Sequence, residues 1–233
     1  PSTTLFRSQG KVAQAIDELK AAVAADPRHA MAWASLGSLY KLQHDLPKSI
    51  DAYEHAAHMM PRDAVVWTNL GTAYANTNRL DDALRALTTA SQLAPKDPDV
   101  RWKLGVVKRK KGDLPGAIAE LELATKLKPD EADYWHNLGI AYRFAKRDDD
   151  AIRALQKAVD LDPNEATYHF DLGVAFRRKQ DPDHAIPEYE KATQLDPSNT
   201  DAWFDLGYMY KLNHENDKAI DAFNHYLEAN HGK

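Results

Sequence analysis

The dipeptide Leu-Gly occurs at Leu36-Gly37, Leu70-Gly71, Leu104-Gly105, Leu138-Gly139, Leu172-Gly173 and Leu206-Gly207, and successive copies are 34 residues apart. Six of the ten glycines stand at this one place. A fixed period of this size constrains a chain more than composition can. Each unit is too short to bury an apolar face of its own, so neighbouring units must stack to make a core. The functional question then concerns surfaces more than clefts.

Counting outward from the dipeptide recovers the rest of the unit. From Ala30 come Trp33, Leu36, Gly37, Tyr40, Tyr53, Ala56 and Pro61. From Ala64 come Trp67, Leu70, Gly71, Tyr74, Ala83, Leu87, Ala90 and Pro95, and from Ala132 come Trp135, Leu138, Gly139, Tyr142, Ala151, Leu155, Ala158 and Pro163. Positions 4, 7 and 11 of a unit share one stripe of a helix with 3.6 residues per turn, and positions 20, 24 and 27 form a second stripe. Gly at position 8 and Ala at 20 and 27 remove side chains where two helices must approach closely. Pro at position 32 follows the second helix, where it stops that helix without breaking it. Each unit is a helix, a short turn and an antiparallel helix.

This pattern resembles the tetratricopeptide repeat family. Six full units cover 30–63, 64–97, 98–131, 132–165, 166–199 and 200–233, after a partial leading unit over 1–29 in which Gly10, Ala15, Ile16, Leu19, Ala22 and Pro27 match a second half. The resemblance implies an all-α, right-handed superhelical solenoid of antiparallel helix pairs, one continuous domain whose concave face is lined mainly by first helices. It also implies a protein-protein interaction module.

Composition sets limits on the remaining classes. The chain is 28% charged and 43% hydrophobic, ordinary for a globular protein. No apolar run is long enough to span a bilayer, and no signal-peptide pattern opens the chain. Cysteine is absent, which excludes a disulfide framework and thiolate chemistry. These features suit the cytoplasm and are compatible with the periplasm. The net charge of −5 argues against general nucleic-acid binding, and the run Lys108-Arg109-Lys110-Lys111 is better placed as a solvated helix end.

No phosphate loop, zinc-protease His pair or nucleophile elbow is present. The expectation is a chain that is not an enzyme and holds no cofactor and no metal. His55 and His58 have metal-compatible spacing but lack a third ligand, so they are surface histidines. His169 stands where other units carry Trp and is expected to be a packed core histidine. The run Asp148-Asp149-Asp150 opens a second helix, where carboxylates complement the macrodipole.

In the family, positions 2, 5, 6, 9, 12 and 13 of the first helix tend to line the groove. Position 5 holds Ala34, Thr68, Trp102, His136, Phe170 and Phe204, and position 9 holds Ser38, Thr72, Val106, Ile140, Val174 and Tyr208. Both rows turn from small and polar to aromatic and aliphatic after the second unit. Position 12 holds Lys41, Ala75, Arg109, Arg143, Arg177 and Lys211. At position 6, Asn69 and Asn137 are interrupted by Ser35, Lys103, Asp171 and Asp205, and the family's clamp for a carboxylate terminus is not present. An apolar stripe beside a basic ridge suits an acidic or amphipathic protein segment bound along the last four repeats. Packing and the helix dipole, worth about 0.3–1 kcal/mol per cation, would produce either row without a partner.

The third unit breaks its own pattern. Trp102 lies one residue later than the other tryptophans, a rotation of about 100° on a helix, which either turns the indole toward the groove as an anchor or repacks it between neighbouring helices. Arg101 and Lys108 then occupy usual core positions. In the fifth unit Pro182 and Pro187 flank the start of the second helix, so a delayed start or a kink is expected. At the ends, Pro1 opens the chain and only Leu5 and Phe6 remain of a first helix, which suggests a piece of a longer chain. Tyr226 replaces a recurrent Ala and His231 a recurrent Pro, so Phe223, Tyr226 and Leu227 form an expected assembly edge. That edge supports the alternatives, a homo-oligomeric scaffold built through array ends or a regulatory arm of a larger protein.

Overall fold

The computed structural model describes residues 2–231, with side chains described over 11–229, so Leu5, Phe6 and His231 lie outside the described side chains. Among the described residues there are thirteen helices and no strand. A leading helix α1 (Ser2–Ala25) is followed by six pairs. These are α2 (Ala30–Leu42) with α3 (Leu46–Met59), α4 (Ala64–Asn76) with α5 (Leu80–Leu93), and α6 (Pro98–Lys110) with α7 (Leu114–Leu127). Then come α8 (Ala132–Phe144) with α9 (Asp148–Leu161), α10 (Ala166–Arg178) with α11 (Pro182–Leu195), and α12 (Thr200–Leu212) with α13 (Asn216–His231). Every first helix begins at position 1 and every second helix at position 17 of its unit. Two compact units divide the chain, Pro1–Gly112 and Asp113–Lys233, and the division falls in the turn between α6 and α7.

The leucines of the dipeptide form the recurrent core. Leu36, Leu70, Leu104, Leu138, Leu172 and Leu206 are all buried, each contributing about 2 kcal/mol from apolar area removed from water. The glycines beside Leu36, Leu70, Leu138, Leu172 and Leu206 let the second helix come close. A Cβ on Gly71 would stand 2.6 Å from Leu87 Cγ, and one on Gly139 would stand 2.5 Å from Leu155 Cγ. Both also meet the partner helix backbone nitrogen at 3.2 Å, which no rotamer change can relieve.

The turns between paired helices share one geometry. Position 15 has positive φ in all six units, at His44, Asn78, Gly112, Lys146, Gln180 and His214. The amide of His44 bonds the carbonyl of Lys41, and that of Asp45 bonds Tyr40. This closes the helix end by the paired bonds expected around a left-handed residue. Only Gly112 adopts this backbone without steric cost. In α1 the equivalent residue, Gly10, is helical and no turn interrupts the helix, a conformation glycine also accepts.

Position 4 proves to be an N–H donor position. Trp33, Trp67, Trp135 and Trp203 each donate Nε1–H to the carbonyl of the proline six residues earlier, at 2.9–3.0 Å. Arg101 Nε makes the same bond to Pro95 at 3.0 Å, and His169 Nε2 reaches Pro163 at 3.0 Å. The two departures from Trp keep the donor and give up only the indole. His169 is buried, with Nδ1 2.6 Å from Glu188 Oε2.

The expected late start of the fifth second helix does not occur. α11 begins at Pro182, capped by the Asp181 side chain, and runs through Pro187. Pro187 and Asp183 are both exposed, so the missing Pro187 hydrogen bond falls on the outward side of the helix. Asp148 pairs with Arg178, the last residue of α10, Asp149 pairs with Lys179 just beyond it, and Asp150 pairs with Arg147 and Arg153. Tyr74, Tyr142 and Tyr210 donate to Glu54, Glu122 and Glu190 of the preceding second helix. Burial, and then these carboxylates, raise the three phenol pKa values.

Candidate interaction surfaces

In the second unit the first helices α8, α10 and α12 adjoin in order. Their positions 12 and 6 meet across each seam. Asp171, on α10, is buried, with Oδ1 3.1 Å from an Arg143 guanidinium nitrogen and Oδ2 2.8 Å from His136 Nε2. The His136 ring lies 4.7 Å from that of Tyr168, whose hydroxyl donates to Asp133 at 2.7 Å. At the next seam Arg177 Nε stands 3.4 Å from Asp205 Oδ2, and the Tyr189 hydroxyl donates to the same oxygen at 3.2 Å. Burial pushes the Asp205 carboxyl above its ordinary range, against the opposing pull of Arg177 and Tyr189. Burial and then the Asp205 charge push the Tyr189 phenol up as well.

These pairs alter what the expected groove residues can offer. The charges of Arg143 and Arg177 are met within the chain, while Lys211 is exposed and has no ion pair among the described residues. His136 and Val174 are buried, whereas Asn137, Ile140 and Phe170 are half-buried. The Asn137 side chain donates to the Asp133 carbonyl at 2.8 Å, and the Phe170 ring lies 6.0 Å from Tyr189. Among the expected groove residues the aromatic ones open to solvent are on α12, while Phe144, at the end of α8, is exposed as well. Position 9 is 6% exposed at Val174 but 42% at Tyr208, and Phe204 is 46% exposed. Phe204 lies 5.8 Å from the ring of Phe223 and 5.3 Å from that of Tyr226, and Leu227 is exposed on α13. Phe204, Phe223 and Tyr226 thus come together between α12 and α13, with Leu227 exposed next in sequence.

Trp102, Val106 and Arg109 belong to α6 of the first unit, and all three are half-buried. Trp102 and Val106 line a cavity of about 160 Å³ with Thr72, Ala75, Leu87 and Lys103, and the Lys103 ammonium is 4.9 Å from the indole centroid. The indole therefore forms part of a wall. A second cavity, about 360 Å³, lies among α11, α12 and α13. Several of its side chains are already engaged: Glu190 accepts from Tyr210, Lys218 pairs with Glu215 at 2.6 Å, and His225 stacks on Trp203 at 4.3 Å.

His55 and His58 are exposed, and the His55 ring stacks on Trp33 at 4.3 Å. Among the described residues no group of three or more His, Cys, Asp or Glu could hold a metal ion, and no helix is long and apolar enough to cross a membrane. The residues that sequence reasoning missed are Asp171 and Asp205. The available signal was an Asp 28 residues after an Arg at position 12, present in two consecutive units.

The family model described as the cilia and flagella-associated protein 70 C-terminal domain matches residues 3–202, and a tetratricopeptide repeat model matches 188–221. Among solved structures, MamA is 26% identical with a TM-score of 0.66, over 70% of this chain and 95% of that one. A chain of the APC/C hetero-tetramer Cut9-Hcn1 is 26% identical with a TM-score of 0.72, over 88% of this chain and 40% of that one. YrrB, described as a TPR protein with an unusual peptide-binding site, shares the fold at 22% identity and a TM-score of 0.65, over 77% of this chain and 93% of that one. No curated protein matches the chain by sequence.

Proposed function

Because the chain belongs to the tetratricopeptide repeat family described as the cilia and flagella-associated protein 70 C-terminal domain, we propose that it is a non-catalytic adaptor. In this reading an amphipathic partner segment lies on the first helices of the second unit. The carrying observation is the aromatic surface of α12, where Phe204 and Tyr208 are open to solvent while Val174, the residue equivalent to Tyr208 one repeat earlier, is covered. Aromatic side chains on a rigid helix supply large contact area at low entropy cost, which is why they dominate binding energy. Half-buried Ile140 and Phe170 extend the apolar side.

The partner's apolar face carries more of this reading than its acidity. Arg143 and Arg177 already meet carboxylates of their own chain, which leaves Lys211 as the exposed cation of the row in this unit. An acidic residue near one end of the bound segment would answer it. The hetero-tetramer that holds the Cut9-Hcn1 relative is in keeping with an interaction role. Self-assembly is a second reading, favoured by the edge of Phe204, Tyr226 and Leu227.

Amphipathic peptides selected by display on the full chain test the first reading, with an expected Kd around micromolar, about −8 kcal/mol. Joint replacement of Phe170, Phe204 and Tyr208 by Ala should weaken such a peptide at least about tenfold while helicity is retained. Unchanged affinity would overturn the reading. Sedimentation mass that rises with concentration would move the assignment to self-assembly.

A further inference from the structure

The seam between α4 and α6 in the first unit has a different occupant from its equivalents in the second. Where Arg143 and Arg177 stand, this seam has Ala75, and where Asp171 and Asp205 stand, it has Lys103. Alanine has no reach, and lysine reverses the sign. The space is left as the cavity of about 160 Å³, walled by Ala75, Leu87, Trp102 and Val106, with Lys103 and Lys110 also lining it. None of its nine lining residues is acidic. Among the described residues neither lysine joins an ion pair, and Lys103 rests over the Trp102 ring.

Size limits the guest. An apolar cavity of about 150 Å³ holds one benzene-sized group, whereas small-molecule sites run to roughly 300–1,000 Å³. The space accepts one side chain and is too small for a cofactor. Charge limits it further, because a guest that fills the apolar wall brings its neighbouring group beside two cations. We propose that this cavity is a docking site for one leucine- or phenylalanine-sized side chain of a partner polypeptide, whose adjacent Glu or Asp pairs with Lys103. The guest carboxylate then does for Lys103 between molecules what Asp171 does for Arg143 within the chain. The site lies wholly in the first unit, so it stands or falls separately from the reading of α12.

The test uses the full chain with 15N-labelled indoles and a capped hexapeptide, acetyl-Gly-Ser-Leu-Glu-Ser-Gly-amide. The Trp102 indole N–H resonance, assigned through Trp102→Phe, should shift and saturate while that of Trp203 stays. The same peptide with Gln for Glu should bind at least about tenfold more weakly, the scale of a charge-assisted bond. Lys103→Gln, a change at a half-buried side chain that keeps a polar group of similar length and should leave the circular dichroism intact, should cut this preference to about twofold or less. Ala75→Leu should fill the cavity and abolish the shift. Equal binding of the Glu and Gln peptides, a response at Trp203 alone, or no Trp102 shift at millimolar peptide would each overturn the proposal.

Discussion

In the second unit Arg143 reaches Asp171 and Arg177 reaches Asp205 across the seams between successive first helices. In the first unit Ala75 and Lys103 hold the same two positions, with a cavity beside them. The backbone period is identical in both, so the difference lies in side chains, above all the two that face each other across the seam. Where the pair is complementary, the chain satisfies its own charge and closes the surface. Where it is not, volume and a cation are left for something else to meet. A repeat protein can thus assign structural and recognition duties to equivalent sites without altering its architecture.

The comparison can be broken most severely at Asp171. Asp171→Ala removes the partner of both His136 and Arg143 at a site only 11% exposed at the side chain. The expected cost is about 3 kcal/mol, the penalty for leaving a buried charge unanswered. Urea denaturation reads it directly, and a loss below about 1 kcal/mol would mean that the seam is not held by this carboxylate.

Asp205→Asn should move stability far less, by under about 1 kcal/mol, because Arg177 is more exposed and stands 3.4 Å away and the amide keeps the neutral form that burial favours. Its pH dependence is more informative than its size. Burial raises the Asp205 pKa above 3.8, so the folded chain binds this proton more readily than the unfolded chain does. The stability contribution of Asp205 is greatest below 3.8 and declines as pH rises from 3.8 through the raised folded value, levelling off above it. Urea midpoints of the wild-type chain should therefore fall relative to Asp205→Asn across that window. A relative rise would show that Arg177 outweighs burial and that both second-unit seams are net stabilising.

The all-α fold of repeated helix pairs was legible because the Leu-Gly ruler assigns each residue a face, although the expected late start of α11 was not observed. The turns were not legible. Their left-handed residues include His44, Lys146 and Gln180, whose side chains give no sign of that backbone. The departures at Arg101 and His169 looked like losses of a core tryptophan, but the shared requirement is an N–H donor, a property that hydrophobic periodicity does not register. The seam pairs escaped for another reason. Arg143 and Asp171 lie on different helices, so no reading of one helix face brings them together. The rotation of Trp102 was visible, whereas the cavity it lines also depends on the small size of Ala75 on α4.

The most direct measurement of this account transfers the second-unit seam into the first. The variant Ala75→Arg with Lys103→Asp places the Arg and Asp types of the closed seam on α4 and α6. Affinity for the Leu-Glu hexapeptide should fall at least about tenfold, while stability to urea changes by no more than about 1 kcal/mol. Peptide affinity equal to that of the wild-type chain, in a variant that remains folded, would contradict the claim that these two positions decide whether a seam is closed or open to a guest.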